Sequence, residues 1–184
     1  IYDYSLALPV AEIKNARIGN AAYTSFESDG KENWNFSGIA TVDITAPTGA
    51  KCYSLAQSSG AISKTNLSTG QPYTISYWSK NGAYTVSGAT GSIITGRSYN
   101  GWTYYEHRVN INTGTISLTG SGYIDELRLY PSESEMMTYT YDPGVGLICQ
   151  CDNKNQVTYY EYDSLGRVKL IKDQNGKILK QYDY

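Results

Sequence analysis

Two stretches, Tyr73-Thr-Ile-Ser-Tyr-Trp78 and Trp102-Thr-Tyr-Tyr-Glu-His-Arg-Val-Asn-Ile111, decide the fold. Successive side chains of a strand point to opposite faces of its sheet. In the first stretch Tyr73, Ile75 and Tyr77 share the face that reads as core, which leaves Thr74, Ser76 and Trp78 on the other. In the second, Tyr105, His107, Val109 and Ile111 read inward, and Tyr104, Glu106, Arg108 and Asn110 outward.

Working outward, Ile39–Ile44, Lys51–Ala56, Tyr84–Val86, Thr115–Leu118 and Tyr123–Tyr130 are further short, β-rich runs. Turn residues separate them: Asp29-Gly30, Pro47-Thr-Gly49, Ser59-Gly60, Thr69-Gly70, Asn81-Gly82, Asn100-Gly101 and Thr113-Gly114. Short strands at this spacing predict an all-β chain built as a two-layer antiparallel β-sandwich or barrel. Helical periodicity is absent apart from one expected turn near Pro9 to Lys14.

Composition agrees. The 184 residues suffice for one sandwich and a small appendage. With 15 Lys+Arg against 17 Asp+Glu, the net charge of -2 gives no reason to expect nucleic acid or an anionic membrane. No apolar run approaches the roughly 20 residues of a membrane-spanning helix. Tyrosine is the outlier, 19 residues against 2 Phe, so most rings carry a polar tip suited to a half-wet surface or a buried hydroxyl partner. Cys52, Cys149 and Cys151 are an odd number at uninformative spacing and read as buried free thiols. One histidine makes a His/Cys zinc site improbable.

From Tyr139 the texture changes. Tyr141-Asp142 recurs at Tyr162-Asp163 and Tyr182-Asp183, with Asp152 matching Asp173 and Asn155 matching Gly176. Each unit reads as a hairpin, and Asn175-Gly176 predicts a type I′ turn. A lone hairpin is marginal in water, so this tail must lean on the sandwich or on further repeats. The chain therefore divides into a lead-in over 1–14, a sandwich over 15–133 and a hairpin-repeat segment over 134–184. Because it opens at Ile1 and stops mid-pattern at Tyr184, it reads as a monomeric fragment of a larger protein.

The unit Tyr162-Asp163-Ser164-Leu165-Gly166-Arg167, followed by Asp173, Gly176 and Tyr182-Asp183, resembles the RHS or YD-repeat family of bacterial secreted and cell-surface proteins. That resemblance implies a β-sheet shell or filament whose repeats carry no chemistry, and a location outside the cell. Val145 stands where Gly166 does, so the preceding turn is expected to differ.

Residues 15 to 131 resemble jelly-roll, galactose-binding-like carbohydrate-binding modules. The likeness rests on Ala22-Tyr-Thr-Ser-Phe-Glu27 with Trp34, on the strand Tyr73–Lys80, and on Gly122-Tyr-Ile-Asp-Glu-Leu-Arg-Leu-Tyr-Pro131. It implies that Glu27 and Asp125 meet and hold a structural calcium. The alternative is that backbone amides cap them or Arg128 pairs with them. It also implies a polysaccharide or glycan partner. Sugar binding needs a flat apolar ring beside hydrogen-bonding groups, and Trp78, Tyr104, Glu106 and Arg108 are the first candidates, with Tyr84, Tyr99 and Trp102 behind.

The other reading is a structural cap or protein-interaction domain with no sugar ligand. Several aromatic rings exposed together on one face favour sugar, and a surface without rings favours the cap. No carboxylate pair, Cys/His pair or phosphate-cradling glycine loop sits in a recognisable catalytic setting, so no enzyme is expected.

Overall fold

The computed structural model is described over residues 1–5, 7–57 and 61–184 and is all-β. In chain order its strands begin with β1 (Tyr2–Asp3), β2 (Leu8–Pro9), β3 (Ala11–Lys14), β4 (Ala22–Thr24), β5 (Thr41–Val42) and β6 (Lys51–Ser54). They continue with β7 (Ile62–Lys64), β8 (Pro72–Ser79), β9 (Thr85–Val86), β10 (Ala89–Tyr99), β11 (Trp102–Asn110) and β12 (Ile116–Thr119). The chain finishes with β13 (Tyr123–Pro131), β14 (Glu135–Asp142), β15 (Gly146–Cys151), β16 (Val157–Tyr162), β17 (Val168–Asp173) and β18 (Ile178–Gln181).

The largest sheet runs β10-β11-β8-β13-β6-β5. On one side β13 is shared, pairing with β6 through Tyr123 and Ile124 and with β4 through Leu127 to Leu129. A smaller sheet runs β7-β12-β9, and the two sheets enclose one apolar core. Tyr73, Ile75 and Tyr77 of β8 and Val109 of β11 meet Ile62, Val86, Ile116 and Leu118 there. Each such side chain, fully withdrawn from water, contributes about 1.5–3 kcal/mol. His107 shares this face, buried, with Nε2 2.9 Å from the Tyr77 hydroxyl. Trp34 is also in the core, its Nε1 donating to the Leu127 carbonyl.

The third sheet, β18-β17-β16-β15-β14-β3, is an antiparallel meander completed by a strand from the other end of the chain. Residues 11–14, expected to include a helical turn, are an extended strand paired with β14 through Lys14–Glu135 to Ala11–Thr138. β14 has a second edge that would otherwise lie unpaired. The lead-in thus belongs to the same sheet as the tail. The short helical turns fall instead at Ile18–Asn20 and Leu55–Gln57.

Two other expectations are corrected. Ile39–Ile44 alternates like a strand, yet only Thr41–Val42 pairs, and Ile39, Val42 and Ile44 are exposed. Conversely, β10 is the longest strand at 11 residues and was not foreseen. It is an exposed edge carrying Gly91 and Gly96, with no alternation of burial to betray it. The turn expected at Ser59-Gly60 lies outside the described residues.

In the third sheet, aspartate organises the turns. Asp152, Asp163 and Asp173 each accept with Oδ1 from the amides two and four residues on, at 2.8 to 3.0 Å. The residue three on, Asn155, Gly166 or Gly176, has positive φ of 57°, 75° or 79° and donates to the aspartate carbonyl. This is a type I turn followed by a left-handed residue, not the expected type I′ turn, since Asn175 itself keeps negative φ. The Asp142 turn differs, as Val145 implied: Gly144 alone donates to the carboxylate, and Gly146 takes φ 135°.

Candidate functional site

β13 is buried along nearly its whole length, on both faces. Ile124 before Asp125-Glu126, and Leu127 and Leu129 after it, all reach the core, although strict alternation would turn two of the three away. An extra residue restores the phase. The pairing of β13 with β8 shifts between Asp125 and Arg128, and Glu126 sits at φ 53°, a bulge in a left-handed conformation that a non-glycine residue adopts only under constraint.

That constraint is a buried polar cluster. Arg128 donates to Glu126 Oε1 from Nε at 3.1 Å and Nη2 at 2.7 Å, with both residues within 2% of full burial. Tyr23 Oη donates to Glu126 Oε2 at 2.7 Å. The same guanidinium reaches across to the meander, donating to Thr138 Oγ1 at 2.7 Å and to the Asp152 carbonyl at 2.9 Å. Thr138 also bonds Glu126 Oε1. A buried ion pair is stable only when its remaining donors and acceptors are filled, and here partners from both sheets fill them.

Asp125 faces the other way, into the loop that follows β5. Its Oδ2 accepts from the Thr48 amide and hydroxyl at 3.0 Å, and its Oδ1 from the Glu126 amide at 2.7 Å. Burial, and then the neighbouring Glu126, pushes its carboxyl well above the ordinary carboxylate range. Glu27 grips the same loop: Oε1 accepts from the Ala50 and Lys51 amides, and Lys51 Nζ donates to the Glu27 carbonyl at 2.7 Å. The two carboxyl groups bond one loop, and N–H groups meet them where calcium would need carbonyl oxygens. Of the alternatives, backbone capping is the one this geometry fits, and calcium does not fit it. Among the described residues no group of three or more His, Cys, Asp or Glu is arranged to hold a metal ion.

The candidate sugar-binding residues separate. Trp78 and Trp102 are completely buried, clustered with Cys52 and flanked by Ala46 and Tyr104. The guanidinium of Arg97 lies 4.9 Å over the Trp78 ring. Tyr84 is in the core, stacked on Tyr77 with centroids 5.4 Å apart. None of these three rings offers a face to a ligand, which corrects the expectation for them. The outward face of β8 was assigned correctly, but a second layer covers it. Tyr104 and Glu106 are half-buried and bonded to each other at 3.0 Å. Arg108 is exposed and loosely paired with Glu133 at 3.7 Å. Tyr99, 37% exposed, stands apart from them at the end of β10.

Tyr99 does line a groove of about 420 Å³ between the loop after β5 and the meander, with Asn100, Tyr159, Tyr160, Glu161 and Lys172. Tyr159 closes its floor, its hydroxyl donating to the Pro47 carbonyl at 2.8 Å. The tail rings Tyr159 and Tyr160 escaped notice as candidates because only the three-dimensional packing sets them opposite Tyr99. Cys52, Cys149 and Cys151 are free and buried, the last two on β15 of the meander beside Val157 of β16.

A scan against protein-family models found no matching family, and a search of curated proteins found no match.

Proposed function

We propose that the chain is a non-catalytic structural segment of a larger secreted or cell-surface repeat protein, in which a jelly-roll-like sandwich caps the repeat sheet and seats its first strands. The observation that carries this reading is Arg128, which is buried between the two and hydrogen-bonded to both. The cluster of Trp78, Trp102 and Cys52 supports it further: rings that read as a sugar platform are packing instead. The Tyr-Asp periodicity supplies the repeat half of the proposal, because each aspartate folds a hairpin that extends the sheet by strands, not by a new core.

Carbohydrate binding is kept as a second reading at one place, the groove between Tyr99 and Tyr160, where rings, an amide, a carboxylate and an ammonium converge as pyranose recognition requires. A glycan and polysaccharide screen on the intact chain separates the two. The cap reading expects no saturable binding, and expects Trp78→Ala to destabilise the fold by about 3–5 kcal/mol in urea. Saturable binding abolished by Tyr99→Ala or Tyr160→Ala, with the melting temperature unchanged, replaces the cap reading with the carbohydrate one.

A further inference from the structure

The lead-in strand β1 brings Asp3 against Glu32, in the loop after β4. A Cβ built on Gly30 would stand 2.0 Å from Glu32 Oε1 and 2.3 Å from Asp3 Oδ1, so both oxygens crowd the bare side of one glycine. Asp3 is only 8% exposed, and its Oδ2 is buried with no hydrogen-bond partner among the described residues. An unpartnered buried carboxylate oxygen beside a second carboxyl is costly unless something shares the charge. No described lysine or arginine does so. Lys31, next in sequence to Glu32, instead lies 5.1 Å over the Phe36 ring and bonds the Phe36 carbonyl.

Other oxygen is at hand. The Thr24 side chain is hydrogen-bonded to the Glu32 carboxyl and accepts from the Phe26 amide at 3.0 Å. A cavity of about 430 Å³ shares Gly30 with this pair and is lined also by Ser28, Asp29 and Lys31. Both segments are also held in unusual backbone: Tyr4 and Ser5 follow Asp3 with φ of 51° and 62°, and Glu32 and Asn33 take 35° and 74°.

We propose that Asp3 and Glu32, with the Thr24 hydroxyl, form a site for a hard divalent cation, calcium before magnesium. An all-oxygen set suits a hard cation, and calcium tolerates irregular coordination where magnesium demands near-ideal octahedral geometry. The bound ion ties β1 to the loop that carries Glu32 and takes the place of the proton the crowded pair otherwise shares. The two carboxyl groups are hydrogen-bonded to each other, which requires a proton between them when no cation is bound. The site is separate from Glu27 and Asp125, whose oxygens are already taken by backbone N–H groups.

The test is calorimetric titration of the intact chain with calcium chloride alone, together with melting curves in calcium and in chelator. Saturable binding is expected, weakened about tenfold or more in Asp3→Asn and Glu32→Gln and unchanged in Glu27→Gln. Calcium should raise the melting temperature of the parent chain by about 5 °C and leave Glu32→Gln unmoved. In chelator, Glu32→Gln should melt close to the parent, because its amide can donate to Asp3 as the shared proton does, which also shows that the variant is folded. Absence of calcium binding by the parent chain overturns the proposal and leaves a shared proton as the pair's occupant. So does binding that survives both substitutions, or binding that disappears in Glu27→Gln.

Discussion

The two-sheet unit and the six-stranded meander use the same kind of strand and obtain their order from different sources. The first buries side chains from both of its sheets in one continuous core. The meander has no comparable core of its own, and its burial fades strand by strand. β14 alternates buried and half-buried residues, β15 and β16 keep buried positions at Cys149, Cys151 and Val157, and β18 is exposed throughout. What the meander has instead is an aspartate at each turn and, at its inner end, Arg128. Repetition in sequence thus specifies turns and pairing, while stability comes from the layer against which the first strands are laid.

The largest effect is expected at the joint between the two. Arg128→Ala leaves Glu126 buried without its counter-charge and strips Thr138 and the Asp152 carbonyl of a donor, a loss of about 3–5 kcal/mol in urea denaturation. An outcome under about 1 kcal/mol, the ordinary scale of an exposed ion pair, would mean that water reaches the cluster and the layers are not locked. A smaller effect, graded along the sheet, sharpens the comparison at the turns. Asp152→Ala removes the carboxylate oxygen that accepts from two amides beside Arg128 and should cost about 1 kcal/mol. The equivalent Asp173→Ala, between two outer strands, should change global stability by about 0.5 kcal/mol or less while loosening β18. Equal losses at the two positions would show that the outer strands are as cooperative as the inner ones.

Much of this architecture was legible. The alternation in Tyr73–Trp78 and Trp102–Ile111 assigned both strands and both faces, including the inward His107, because period-two burial is strong where a strand lies between a core and a second surface. The same rule misread Ile39–Ile44, where apolar residues alternate but no layer covers them, and passed over β10, where pairing occurs without burial. Alternation gives the face of Trp78 but not what lies above that face. The covering groups are Ala46, Cys52, Arg97, Trp102 and Tyr104, and no pattern local to Trp78 announces them. The aspartate spacing pointed to hairpins. Their type escaped because Asn-Gly suits type I′ in isolation, and the competing pull of the Asp173 carboxylate on the amides of Asn175 and Lys177 decides the turn. Glu27 and Asp125 each bond the loop after β5, and the backbone that meets them there presents its N–H groups.

Amide hydrogen exchange along the meander tests the central claim most directly. If the sandwich seats the sheet, protection is highest in β14 and β15, intermediate in β16 and lowest in β18, with the innermost amides exchanging as slowly as those of β8 and β11. Uniform protection from β14 to β18 would contradict this by showing a sheet that supports itself, and equally rapid exchange in β14 and β18 would contradict it by showing a sheet the sandwich does not hold.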